Sequence, residues 1–129
     1  MQGAPQPASA ALASRDFVLL YFSAHWCPPC RGFTPELVSF YTQFSASKNV
    51  EVVFVTSDRS SAEFASYYAE MPWLAVPFED AEARAALSAK YGVRGIPTLV
   101  LLDKAGAVVT KNARAKVVTA ARAFPAWAD

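Results

Sequence analysis

Cysteine is scarce in this chain of 129 residues: there are two, Cys27 and Cys30, three positions apart. Two cysteines cannot supply the framework of a disulfide-held secreted domain, and a bridge across three positions closes almost no chain. The pair therefore asks for a chemical explanation. Histidine is scarcer still, with His25 alone, so a four-ligand zinc centre would have to borrow carboxylates and no metal is expected. An excess of charge of one sign is missing too. The 12 Lys and Arg residues balance 11 Asp and Glu for a net charge of +1, which removes the phosphate attraction of a dedicated nucleic-acid binder. No apolar run approaches the ~18 residues of a membrane span, and the first residues lack the charged start and apolar stretch of a secretory signal. Nucleic acid and membrane are both excluded as expected partners, and a soluble, intracellular chain is expected.

What is present suffices for one core, since 53% of the residues are hydrophobic and 18% charged. Residues 1–15 are mostly Ala, Pro, Gln and Ser and read as a flexible lead-in to one domain over 16–129. The continuous apolar run from Phe17 to Ser23 predicts a strand buried on both faces. Pro28 and Pro29 suit a first helical turn, after which Phe33, Leu37, Phe40 and Phe44 recur at helical spacing. Pro35 inside that pattern predicts a kink rather than a stop. Glu51 to Thr56 reads as a second strand, with a helix capped by Ser60 or Ser61 after it. Met71 to Phe78, with two prolines, reads as an irregular loop, and Asp80 to Tyr91 as a helix ending at Gly92. Pro97 to Leu102 and Ala107 to Thr110 form a hairpin around Asp103-Lys104-Ala105-Gly106, and a helix follows over Arg114 to Ala123. This order predicts an α/β domain with a mixed four-stranded sheet and helices on both faces.

Cys27-Pro28-Pro29-Cys30 falls where the buried strand turns into the helix, which puts Cys27 at the N-cap. Unpaired amides and the positive end of the helix dipole favour a thiolate there. Both prolines lack an N–H, so the Cys30 amide is the nearest main-chain donor that reaches the Cys27 sulfur. Cys30, one turn on and facing the core, stays protonated until a mixed disulfide forms. Position thus separates a nucleophile from a resolving thiol, and thiol–disulfide exchange needs no bound cofactor. Half of a zinc site and a pair of incidental buried thiols are the alternatives. His25 reads as an exposed loop residue whose cationic form would help hold the thiolate.

The block Tyr21 to Arg31 (YFSAHWCPPCR), with Ser57 to Ser60, Met71 to Phe78 and Gly95-Ile96-Pro97-Thr98, resembles the nucleoredoxin and tryparedoxin branch of the thioredoxin superfamily. The resemblance runs from Phe17 to Trp127. Nucleoredoxin modules are the nearer match, because tryparedoxins carry Trp and Glu where this chain has Ser57 and Arg59. The resemblance implies a thioredoxin fold with a cis peptide before Pro97, packed against the dithiol. It also implies that Trp26, Ile96 and Pro97 contact the substrate. Typical thioredoxins bury an aspartate where this chain has Tyr21, so Asp58 becomes the acidic residue matched to proton transfer at Cys30, against a capping or solvated role. Arg114 matches an arginine that lies near the glutathione-type ligand of tryparedoxins.

These features predict a monomeric protein-disulfide reductase of the cytoplasm, extending to the nucleus. Its partners are disulfide-containing proteins and a thiol electron donor, either a thioredoxin reductase or the glutathione system. The rival readings are a tryparedoxin-type dithiol carrier and a redox-regulated binding module. Charge is also uneven: Glu51 to Glu82 holds seven acidic residues and one Arg, Arg84 to Arg122 eight basic residues and one Asp. A basic side bordering Cys27 would steer acidic partners to it.

Overall fold

The structure, a computed structural model, describes residues 16–103 and 105–119; the lead-in expected over 1–15, Lys104 of the hairpin turn and the last part of the expected C-terminal helix lie outside them. The described elements are β1 (Phe17–Ser23), α1 (Pro28–Phe44), β2 (Val50–Thr56), α2 (Ser61–Tyr68), β3 (Leu74–Ala75), α3 (Ala81–Lys90), β4 (Thr98–Asp103), β5 (Val108–Thr110) and α4 (Ala113–Thr119). None of the described helices is long and apolar enough to cross a membrane.

The sheet has the order β3-β2-β1-β4-β5. β1 runs parallel to β2 and antiparallel to β4, and β2 runs parallel to β3. Alternate residues of each central strand face opposite layers. Leu19 and Tyr21, Val52 and Phe54, and Leu99 and Leu101 meet Phe33, Leu37 and Phe40 of α1 with Tyr67 and Tyr68 of α2. Val18, Leu20 and Phe22 pack with Val53, Val55 and Val100 against Tyr91 and the α3 residue Leu87. β1 therefore carries bulky, largely apolar side chains from Phe17 to Phe22 because both of its faces are covered.

The sheet has five strands where four were expected. Leu74 and Ala75 pair with Val53 and Phe54 inside the stretch read as irregular. Prolines 72 and 77 bracket them and leave room for two ladder residues, while buried Met71 and Trp73 and the bond from the Tyr68 hydroxyl to the Trp73 carbonyl fix the approach. α1 continues through Pro35 without a stop.

The register brings three loops to one edge of the sheet. Ser23 lies opposite Thr56 at the ends of β1 and β2, and Thr98 at the start of β4 lies opposite Phe22. The β1–α1 turn, the β2–α2 turn and the segment before β4 thus meet at that edge.

Candidate active site

Cys27 is the N-cap of α1, with extended backbone (φ −100°, ψ 108°), and Pro28 and Pro29 occupy the first two helical positions. The Cys30 N–H donates to Cys27 Sγ at 3.3 Å. A disulfide joins the two residues, with their Cα atoms 5.2 Å apart. Neither cysteine is open to solvent: Cys27 is 5% exposed and Cys30 fully buried. Ala24 and half-buried Ile96 pack against both cysteines. The Ile96 carbonyl oxygen lies 3.9 Å from Cys27 Sγ. The Ile96–Pro97 peptide bond is cis.

Trp26 is 42% exposed and is no core aromatic. Its indole N–H donates to the Ser57 carbonyl at 3.2 Å, and the Arg59 guanidinium sits 4.9 Å from the ring centroid. Asp58, between those two residues, is neither solvated nor a helix cap: it is buried, and Ser60 caps α2 instead. Asp58 Oδ1 accepts the His25 N–H at 2.7 Å and Oδ2 accepts the Thr56 hydroxyl at 2.8 Å. Asp58 therefore ties the β1–α1 turn to the end of β2. His25 is half-buried rather than exposed, its ring stacked on Tyr67 with centroids 5.2 Å apart and planes 8° from parallel.

A buried ladder of hydroxyl groups lies behind Cys30, and sequence reasoning missed most of it. The Cys30 carbonyl accepts from the Tyr21 hydroxyl at 3.1 Å and from the Thr34 hydroxyl at 3.0 Å. Thr34 Oγ1 is 2.6 Å from both the Tyr21 and the Tyr67 hydroxyl oxygens, and Tyr67 reaches Ser23 Oγ at 2.7 Å. Four hydroxyl protons can thus be directed along one chain that ends on the Cys30 carbonyl. Burial, the largest influence, pushes the Tyr21 phenol well above its ordinary range, so this member of the ladder stays uncharged. The one signal in the sequence was Thr34, a helical turn after Cys30.

Arg114 reaches the same edge from α4. Its guanidinium donates to the Pro97 carbonyl at 3.0 Å and lies 5.7 Å from the Phe33 ring centroid. Beside it a cleft of about 590 Å³ is lined by Pro29, Gly32, Phe33, Glu36, Asn112 and Arg114, among others. The structure thus brings Trp26, Cys27, Cys30, Ile96, Pro97 and Arg114 to one rim. Tyr21 contacts Cys30 from beneath, while Asp58 meets the rim only through the backbone of His25.

Comparison with known proteins places the chain in a family. A family profile described as thioredoxin-like matches residues 15–108. Nucleoredoxin of Homo sapiens is 50% identical over 100 residues, covering 77% of this chain and 23% of that protein. Tryparedoxin of Trypanosoma brucei brucei is 46% identical over 102 residues, covering 78% of this chain and 71% of that one. Among solved structures, tryparedoxin II of C. fasciculata superposes with a TM-score of 0.85 at 45% identity, over 91% of this chain and 77% of that one. A tryparedoxin II complexed with glutathionylspermidine superposes with a TM-score of 0.84 at 44% identity, over 92% and 83% of the two chains. The chain spans about a quarter of the length of the curated nucleoredoxins it matches.

Proposed function

Because the chain belongs to the thioredoxin-like family, we propose that it is a protein-disulfide reductase in which Cys27 attacks and Cys30 resolves. The observation that carries this reading is the Cys27 sulfur at the helix N-cap, holding the Cys30 amide proton and bonded to the Cys30 sulfur. In the reduced protein the same amide and helix end favour negative charge on Cys27. The Cys27 thiolate attacks one sulfur of a substrate disulfide, a Cys27–substrate bond forms, and the other substrate sulfur leaves as a thiolate. Cys30 then loses its proton and attacks Cys27 Sγ, and the second substrate sulfur departs. Two electrons pass from the dithiol to the substrate, whose sulfurs take up two protons. The Cys27–Cys30 disulfide is left, as seen here. Trp26, Ile96 and Pro97 form the lip over which the substrate approaches, and the reaction is carried by the domain assigned to residues 16–129.

The cycle closes when an external thiol donor returns two electrons. A tryparedoxin II complexed with glutathionylspermidine draws attention to thiols joined to a polyamine, but Arg59 stands here where tryparedoxins carry an acidic residue. A guanidinium repels the cationic linker of such a donor, whereas Arg114 retains a fork for a carboxylate. The donor is therefore a flavoprotein thioredoxin reductase or glutathione in preference to trypanothione, in the reducing setting of the cytoplasm or nucleus. Turnover of a model protein disulfide with each donor at matched concentration tests both statements. Turnover by the reductase or by glutathione is the expected result. Absence of turnover with every donor would leave a binding module, and a clear trypanothione preference lost in Arg114→Ala would make the chain a tryparedoxin-type carrier.

A further inference from the structure

Two guanidinium groups border the dithiol, Arg59 from the β2–α2 turn and Arg114 from α4. Arg59 reaches over the Trp26 ring, one residue before Cys27, and Arg114 is bonded to the Pro97 carbonyl, one residue after Ile96. The contact with Trp26 occupies the aromatic face, and among the described residues no carboxylate pairs with either guanidinium. Arg59 therefore keeps its N–H donors for an outside acceptor while the indole limits where the group can swing. The acidic groups nearby leave the Arg59 guanidinium donors unoccupied. Asp58 is buried with both oxygens engaged, and Glu63 accepts the backbone N–H of Arg59 from the start of α2. Glu36 faces the cleft beside Arg114.

We propose that this rim selects protein segments with carboxylates beside the reactive disulfide, and that Arg59, set on Trp26, is the residue that reads them. The inference rests on the reductase reading above and adds a substrate class to it. A segment crossing the lip between Trp26 and Ile96 passes between the two guanidiniums, so an acidic side chain on either side of its cysteine meets a fork matched to a carboxylate. Attraction at this range acts mainly on encounter and is screened by salt.

The test uses the pre-reduced full chain in single-turnover reduction of two peptides with the same internal disulfide, one flanked by Asp pairs and one by Lys pairs. At low ionic strength the acidic peptide should react on the order of ten-fold faster, with the ratio falling toward one near ~0.5 M salt. Arg59→Glu should abolish or invert the ratio. Lys48→Glu should leave it in place, since that residue precedes β2 at the opposite end of the β1–β2 pair and changes the net charge equally. Equal rates for both peptides, a ratio that survives Arg59→Glu, or a ratio lost equally in Lys48→Glu would overturn the proposal while leaving the reductase reading intact. Failure to reduce either peptide, with the protein verified as the dithiol, would overturn the reductase reading and this inference with it.

Discussion

At the scale of single residues, the asymmetry between the two sulfurs is one of partners rather than of exposure. Cys27 is covered almost as fully as Cys30, yet only its sulfur lies at the helix N-cap and takes a main-chain N–H. Alkylation of the reduced protein near neutral pH should therefore label Cys27 first. Cys27→Ser should abolish disulfide reduction, and Cys30→Ser should accumulate mixed disulfides, both visible by mass spectrometry. First labelling of Cys30 would reverse the assigned roles. Tyr21 offers a second test. Its ordinary phenol value is 10.0 and burial raises it in the folded chain, so the neutral form is favoured by folding. That contribution is complete below about pH 10 and is lost as pH rises toward the raised folded value, because the unfolded chain releases its proton first. Urea midpoints should fall above about pH 10, with a slope from this residue of at most about 1.4 kcal/mol per pH unit. Tyr21→Phe should flatten that slope, and an unchanged alkaline slope would remove Tyr21 as its source.

At the scale of elements, much was legible because it is local. The run Phe17 to Ser23 announces a strand covered on both faces, and the two prolines after Cys27 announce the start of α1. Ser60 announces its helix through a cap whose hydroxyl oxygen accepts the N–H of Glu63, three residues on. The hydroxyl ladder was illegible for the opposite reason. Its bonds join β1 to α1 across 9 and 13 residues, α1 to α2 across 33, and β1 to α2 across 44. Beyond the place of Thr34 one helical turn after Cys30, a serine, a threonine and two tyrosines so far apart carry no spacing signal until the sheet register sets them on one face. Asp58 was placed at its strand end correctly, but nothing in the sequence shows that both oxygens are already committed. The ladder predicts coupling: Thr34→Val should cost about 2–3 kcal/mol, since it strips a shared partner from two buried phenols. In a Tyr21→Phe, Tyr67→Phe background the same change should cost much less, and denaturant unfolding of the four proteins measures the difference. Additive losses would mean that Thr34 acts alone.

At the scale of the whole molecule, the reactive edge exists because a mixed sheet ends two parallel strands where an antiparallel neighbour begins. β1 and β2 deliver the dithiol turn and the Ser57–Arg59 turn, and β4 starts beside them after Ile96 and Pro97. Asp58 holds the first two of these loops together, taking the His25 N–H from one and the Thr56 hydroxyl from the other. This clamp and a role in proton transfer at Cys30 make different predictions for Asp58→Asn. An amide keeps one acceptor oxygen and replaces the other with a donor, which faces either a main-chain N–H or a hydroxyl already donating to the carboxylate. As a clamp, the residue should cost about 1–3 kcal/mol of stability when changed. The displaced turn should slow the first attack by Cys27 and the resolution by Cys30 together. As a proton carrier it should slow resolution alone, with the first attack and the unfolding midpoint unchanged. Rapid-quench trapping of the mixed disulfide, beside a denaturant titration of the same variant, separates the two. Joint slowing with lost stability is the expected result, because both carboxylate oxygens are already engaged away from Cys30, and a selective effect on resolution would return Asp58 to the chemistry.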